Sequence, residues 1–141
     1  MQRIVDLLNE KNDYLFKFYR LNEEQITSLS EGRFDHLDEF YNAREVLLEL
    51  VSHVDARIED FNREVLEPGH ITESGKKAIS LALREKEDVV QRILAQDLEV
   101  LSFIEKEKSK MLVELRQVKM GRKAVGGYRQ FDEHHRVDEE A

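Results

Sequence analysis

The stretch PGHITESG, residues 68–75, interrupts the chain more strongly than any other, because it holds the single proline and two of the six glycines. Glycine and proline are the residues that most often end helices. The remaining glycines stand at Gly32 and between Gly121 and Gly127. These three breaks predict three long helices and a tail, an architecture that favours binding over catalysis.

The composition indicates long amphipathic helices in a single domain. The chain has 141 residues, of which 40% are hydrophobic and 37% are charged, and it has no tryptophan. This balance is typical of helices that bury one face, and not of a sheet or a disordered chain. The absence of cysteine excludes a disulfide framework and a thiolate metal site.

Charge and hydropathy narrow the expected partners and location. The net charge of -8 disfavours nucleic acid, because a phosphate backbone would repel the chain. No apolar run approaches the roughly 20 residues that span a bilayer, and the first residues lack the apolar core of a secretory signal. We therefore expect a cytoplasmic protein that does not insert into membranes.

Apolar residues recur at helical spacing in three segments, 2–30, 34–66 and 75–120. Short connections between helices of this length predict an all-α, antiparallel bundle. We place the bundle domain at 1–121 and expect 122–141 to form a flexible, disordered tail, because basic and then acidic residues dominate this end. In the first segment, Lys11 and Asn22 interrupt the apolar stripe.

The third segment has the clearest register. A row of residues seven apart predicts a bundle-type seam, and leucines in the neighbouring row complete it. The members are Leu83, Val90, Asp97, Ile104, Met111 and Val118, with Leu94, Leu101 and Leu115 beside them. Asp97 is the polar exception, and the sequence leaves open whether the third helix is continuous there or broken in two.

Arg44 is the matching exception in the second segment. If the second and third helices form a hairpin centred near residue 70, Arg44 lies 26 positions before the centre and Asp97 lies 27 after it. The two side chains then stand at the same level, where an ion pair would fix the register. The alternative is that both lean outward into solvent.

The hairpin leaves the end of the third helix uncovered. Reflected about residue 70, positions beyond about Lys106 fall past the start of the second helix, yet the apolar stripe continues through Met111, Leu112, Leu115 and Val118. This stripe must meet the first helix or a folded-back tail, a second copy of the chain, or a different protein.

Nothing in the sequence indicates catalysis. No nucleotide-binding, hydrolase or zinc-protease motif occurs, and His36, His53 and His70 are scattered at positions typical of surface or capping residues. His134 and His135 are adjacent in the acidic tail, which makes a poor metal site. We predict no catalytic residues, no metal and no cofactor.

Two stretches combine helices, glycines and single polar residues in a recurrent order. In the first, a glutamine precedes a glycine turn, and a helix follows with a leucine, a basic residue and a leucine pair. These residues are Gln25, Gly32, Leu37, Arg44, Leu47 and Leu48. In the second, which runs from Asp97, a long helix closes at Gly121 and Tyr128 follows a few residues later. Together the two stretches resemble the small flagellar type III export chaperones of the FlgN/FliT-like family.

The resemblance implies a chaperone without enzymatic activity that binds the C-terminal helical segment of a late flagellar subunit, a hook-associated or filament-cap protein. It implies delivery of that subunit to the export gate, with Tyr128 docking on the gate's cytosolic domain; alternatively, Tyr128 packs back on the third helix. The implied subunit site comprises Ile104, Met111, Leu112, Leu115 and Val118. A competing hypothesis is a self-associating structural bundle or adaptor without an export role.

Overall fold

A computed structural model describes residues 2–64 and 72–140, and the side chains among them up to Val125. This part of the chain forms three α-helices and no strand: α1 (Gln2–Ser30), α2 (Leu37–Glu64) and α3 (Glu73–Glu140). The predicted all-α class of three long helices is therefore confirmed. None of the helices as described contains a segment that is both long and apolar enough to span a bilayer.

A glycine turn ends α1. Gly32 has a positive φ of 79°, which costs a residue with a side chain more than it costs glycine. Its amide donates to Leu29 O over 3.0 Å, and the Arg33 amide donates to Ser28 O over 2.9 Å. These are the two bonds of a Schellman motif, which satisfies the last carbonyls of the helix.

A side-chain cap begins α3. The Thr72 hydroxyl accepts a hydrogen bond of 3.0 Å from the Gly75 amide, and Thr72 O accepts one of 2.9 Å from the Lys76 amide. Threonine at this position satisfies an amide that has no partner inside the helix. Thr72, just before the first residue of α3, thus fixes where the helix starts.

The chain divides into two compact units, Met1–Ser102 and Phe103–Ala141, which we call the N-terminal and the C-terminal unit. In the N-terminal unit, α1 and α3 run parallel. Asn12 Nδ2 donates to Ala82 O over 2.9 Å, and further along both helices Asn22 Nδ2 donates to Asp97 Oδ1 over 3.2 Å.

Helix α2 runs antiparallel to α1 in the same unit. Lys11 Nζ lies 2.6 Å from Asp55 Oδ1 near one end, and the Arg44 guanidinium carbon lies 4.8 Å from the Phe18 ring centroid near the other. From the first contact to the second, the residue number rises on α1 and falls on α2. The N-terminal unit is therefore a three-helix bundle in which α2 opposes both neighbours.

The core of this bundle has two apolar clusters at different heights. Each combines side chains from all three helices, as the wide apolar stripe of α1 requires. One cluster contains Ile4, Val5, Leu8 and Ala82, with Ile58, Phe61, Ala78 and Ile79 packed against it. The other contains Leu15, Phe18, Val89 and Ile93, with Tyr19, Leu47, Val51 and Val90.

The buried row of α3 lies one residue earlier than the sequence predicts. Ala82, Val89 and Gln96 are buried and spaced by seven, whereas Leu94 and Leu101 from the predicted seam are exposed. Leu83 is also exposed, and Val90, Asp97 and Ile104 are half-buried. The prediction was wrong because the buried row contains a small and a polar residue, while leucines on the flank mark a more conspicuous stripe.

Helix α3 is continuous through Asp97 and through Gly121, where the glycine pattern predicts its end. A lone glycine inside a helix costs about 1 kcal/mol relative to alanine, which does not by itself terminate the helix. No heavy atom lies within 4 Å of a side chain built at Gly121. The side chains of residues 126–141 lie outside the described residues, so the disordered tail stays a prediction.

Candidate functional site

The structure brings Arg44 and Asp97 together. Arg44 Nη2 lies 3.1 Å from Asp97 Oδ1, and the two side chains keep 18% and 30% of their surfaces exposed. A partly buried, charge-assisted contact is stronger than a surface ion pair because less solvent screens it. The pair joins α2 to α3 at the level that the hairpin arithmetic predicts.

Aromatic rings surround the guanidinium of this pair. The Arg44 Cζ atom lies 4.8 Å from the Phe18 centroid, 5.3 Å from that of Phe40 and 5.6 Å from that of Tyr41. A cation over an aromatic face is attracted by the ring quadrupole, at about 0.5–2 kcal/mol each according to exposure. Arg44 therefore links all three helices, since Phe18 belongs to α1.

Asn22 completes the cluster, and sequence reasoning missed it. Its side chain is 0% exposed, and its amide donates to the same Asp97 oxygen that Arg44 contacts. An asparagine in the apolar stripe looks like an interruption, yet Leu8, Leu15, Asn22 and Leu29 are spaced by seven. That spacing is the signal that places Asn22 in the core.

Further buried amides accompany this cluster between α1 and α3. Gln96 Nε2 donates to Tyr19 O over 3.1 Å, which adds a second polar tie near Asn22. Some buried amide atoms of the bundle have no hydrogen-bond partner among the described residues, and each such group costs about 1–3 kcal/mol. They are Asn12 Oδ1, Asn22 Oδ1, Gln25 Nε2 and Gln96 Oε1.

A groove beside α1 and α3 contains a tyrosine that is held protonated. Tyr19, Glu23, Arg92 and Gln96 line it. The Tyr19 hydroxyl donates to Glu23 Oε1 over 2.7 Å, and this bond, with burial and the carboxylate charge, raises the pKa of Tyr19 above its ordinary value of 10.0. The phenol donates this hydrogen bond at neutral pH, and the bond ties it to the next turn of α1.

The predicted subunit site lies on the C-terminal unit and is open. Met111 is 60% exposed, and Leu112, Leu115 and Val118 are each about half exposed. Ile104, in the same unit, is half-buried. We call Met111, Leu112, Leu115 and Val118 the distal stripe. The side chain of Tyr128, predicted to dock on the gate, lies outside the described residues.

A second exposed apolar surface lies on the N-terminal unit. Tyr41 and Leu48 stand three residues before and four residues after Arg44 on α2, and Leu94 and Leu101 have the same spacing about Asp97 on α3. Residues three and four apart share a helix face, so these side chains flank the ion pair. All are 44–52% exposed, and Leu98, 70% exposed, lies between the two leucines. We call Tyr41, Leu48, Leu94, Leu98 and Leu101 the proximal patch.

Within the described part of the chain, no group of three or more histidine and carboxylate side chains is placed to hold a metal ion. Comparison with known proteins adds no family: no protein-family model, no curated protein and no solved structure matches this chain. The features that bear on function are therefore the two exposed apolar surfaces and the charges around them.

Proposed function

We propose that this chain is an export chaperone without enzymatic activity, which binds the C-terminal helical segment of a flagellar subunit in the cytoplasm and delivers it to the type III export gate. The subunit would be a hook-associated or filament-cap protein. The observation that carries the proposal is the exposure of the distal stripe, together with the resemblance at Gln25, Gly32, Arg44 and Tyr128.

The distal stripe has the chemistry of a helix-binding surface. Its members recur along one side of α3, so an amphipathic helix could align its own apolar face with them. Methionine adapts to partners of different shape, which suits a protein that must hold and then release a subunit. Burying one half-exposed leucine contributes about 1 kcal/mol or more, so four such side chains support reversible binding.

The N-terminal bundle supports this role as a scaffold. The Arg44, Asp97 and Asn22 cluster fixes the three helices relative to one another, which leaves the stripe on a separate segment of α3. Tyr128 follows that segment in the sequence and would contact the gate's cytosolic domain. Subunit and gate would then be held by neighbouring parts of one chain.

Subunit binding is tested with a purified peptide that spans the C-terminal helical segment of a hook-associated or cap protein. The variant M111K/L115K places two charges in the distal stripe and should weaken binding at least 10-fold by calorimetry. The matched control V46K/L81K changes two equally exposed apolar residues elsewhere and should bind as the unchanged protein does. Equal affinity of all three proteins, or no binding of any such peptide, would reject the proposal.

Gate docking is tested separately with Tyr128→Ala and Tyr128→Phe. The alanine variant should lose binding to the isolated cytosolic domain of the gate while it keeps its affinity for the subunit peptide. The phenylalanine variant should retain most gate binding, because the ring supplies the buried area. Loss of peptide binding by the alanine variant would contradict a role confined to the gate.

A further inference from the structure

The two apolar surfaces of this chain are surrounded by opposite charges. Residues 1–102 contain 13 lysines and arginines against 22 acids, a net charge of -9, whereas residues 103–125 contain 7 against 3, a net charge of +4. A chain with a net charge of -8 thus carries a basic segment around its distal stripe. Such asymmetry steers surfaces of opposite charge toward one another.

Acidic residues border the proximal patch. Between residues 37 and 55 there are five acids and one base, Arg44, whose guanidinium is already engaged by Asp97. Glu45 is exposed one helical turn from both Tyr41 and Leu48, and Glu49 lies one turn beyond it. The patch is therefore apolar in its centre and negative along α2.

The distal stripe has the complementary arrangement. Lys108, Leu112, Leu115, Lys119 and Arg122 recur at intervals of four, three, four and three, which places them along one helix face. All five side chains are exposed. Two leucines are thus bracketed by cations at both ends, a pattern that matches an apolar surface with an acidic border.

We infer that the proximal patch is a docking site for the basic helix around the distal stripe of a second copy of this chain. Apolar contact between Leu112 and Leu115 of one copy and the patch of the other supplies the binding energy, and Glu45 and Glu49 opposite Lys119 and Arg122 set the orientation. Two copies that exchange helices reciprocally close into a dimer.

This inference does not depend on an export role. If the chain is a chaperone, the second copy and the subunit compete for the distal stripe, so self-association protects an exposed apolar surface until the subunit arrives. Self-association is measured with the purified full-length chain alone. Its failure therefore leaves the binding of a subunit peptide unaffected, and the two proposals fail separately.

Sedimentation equilibrium over a concentration series provides the test. The unchanged protein should associate, and association should weaken as salt rises because charges are screened. E45K/E49K and K119E/R122E should each raise the dissociation constant at least 10-fold when measured alone. An equimolar mixture of the two variants should regain association, since the reversed charges again face their complements across two copies.

Matched variants separate this result from a general charge effect. D13K/E24K makes the same charge change as E45K/E49K on the exposed surface of α1 and should associate as the unchanged protein does. Leu98→Gln, without any charge change, should weaken association, whereas Leu81→Gln at a similarly exposed position should not. Circular dichroism should give equal helix content for all of them. A protein that is monomeric at every concentration, or a mixture that does not regain association, would overturn the inference.

Discussion

At the scale of single residues, polar groups in the core decide how the helices are aligned. Asp97 accepts from both Arg44 and Asn22, so one carboxylate joins three helices. Sliding any helix by a turn would leave a charge or an amide against apolar side chains, at a cost of several kcal/mol. Register is therefore specified by these contacts more than by the apolar residues, which tolerate rearrangement.

The Arg44–Asp97 pair should show measurable coupling in a double-mutant cycle with Arg44→Met and Asp97→Asn. We expect about 1–2 kcal/mol of interaction free energy from urea unfolding, because both side chains are largely shielded from solvent. The exposed pair Arg57 and Glu10, with 3.4 Å between its charged atoms, is the control and should couple by at most about 0.5 kcal/mol. Equal coupling in both pairs would refute the structural role given to Asp97.

At the scale of helices, the bounds of α1 were predictable, but the end and the buried face of α3 were not. Gly32 carries a strong local signal, so α1 ends where the sequence predicts, whereas Gly121 does not end α3. The seam of α3 was misplaced because Ala82 and Gln96 are not apolar markers, whereas exposed Leu94 and Leu101 are. Periodicity identifies a helix reliably, but it cannot choose between two adjacent rows when both contain leucines.

Alanine substitutions at neighbouring positions of α3 distinguish the two seams. Val100→Ala should destabilise the protein by about 2 kcal/mol, because Val100 is 1% exposed and its removal leaves a cavity. Leu101→Ala should change the free energy of unfolding by less than about 0.5 kcal/mol, since Leu101 is exposed. Thermal or urea unfolding measures both. A larger effect at Leu101 would restore the seam predicted from the sequence.

Gly32, in the turn after α1, and Gly121, inside α3, should respond to alanine with opposite signs. Gly32→Ala should destabilise the protein by about 1 kcal/mol, because its φ of 79° disfavours any residue with a Cβ. Gly121→Ala should stabilise the local helix by about 0.5–1 kcal/mol, since nothing lies near the added methyl. Urea unfolding reports the first change and amide exchange over residues 111–125 the second. Destabilisation at Gly121 would argue against a helix there.

At the scale of the whole molecule, the sequence predicts the all-α fold. It also predicts where the distal stripe lies, but not what binds there. The number of helices follows from the positions of glycine and proline. The pairing of Arg44 with Asp97 follows from counting residues on either side of the turn near residue 70. The burial of Asn12, Asn22 and Gln96 could not be predicted from composition, because an isolated polar residue is more often exposed. The distal stripe was predicted as an apolar continuation, and the structure shows that its side chains are exposed; binding to them is a proposal.

Stability should reside in the N-terminal unit, because the buried apolar residues of the described chain all lie between Ile4 and Val100. A chain that ends after Ser102 should keep its unfolding midpoint within about 4 °C of the full chain at a concentration where both are monomeric. A chain that ends after Ile93 loses both Val100 and Asp97 and should melt at least about 10 °C lower. Collapse of the longer truncation would show that the C-terminal unit contributes to the core.

Burial is distributed unevenly among the three helices. Helix α1 buries ten residues along its length, whereas α2 buries only Phe40 and Val54 fully across its 28 residues. We therefore expect α2 to detach at the lowest free-energy cost in the bundle, so its amides should be the first to exchange through partial opening, before global unfolding. Opening at α2 would separate Arg44 from Asp97 and split the proximal patch. The helix that sets the register would then also control the proximal patch, because its release would disassemble the surface proposed to bind a second copy.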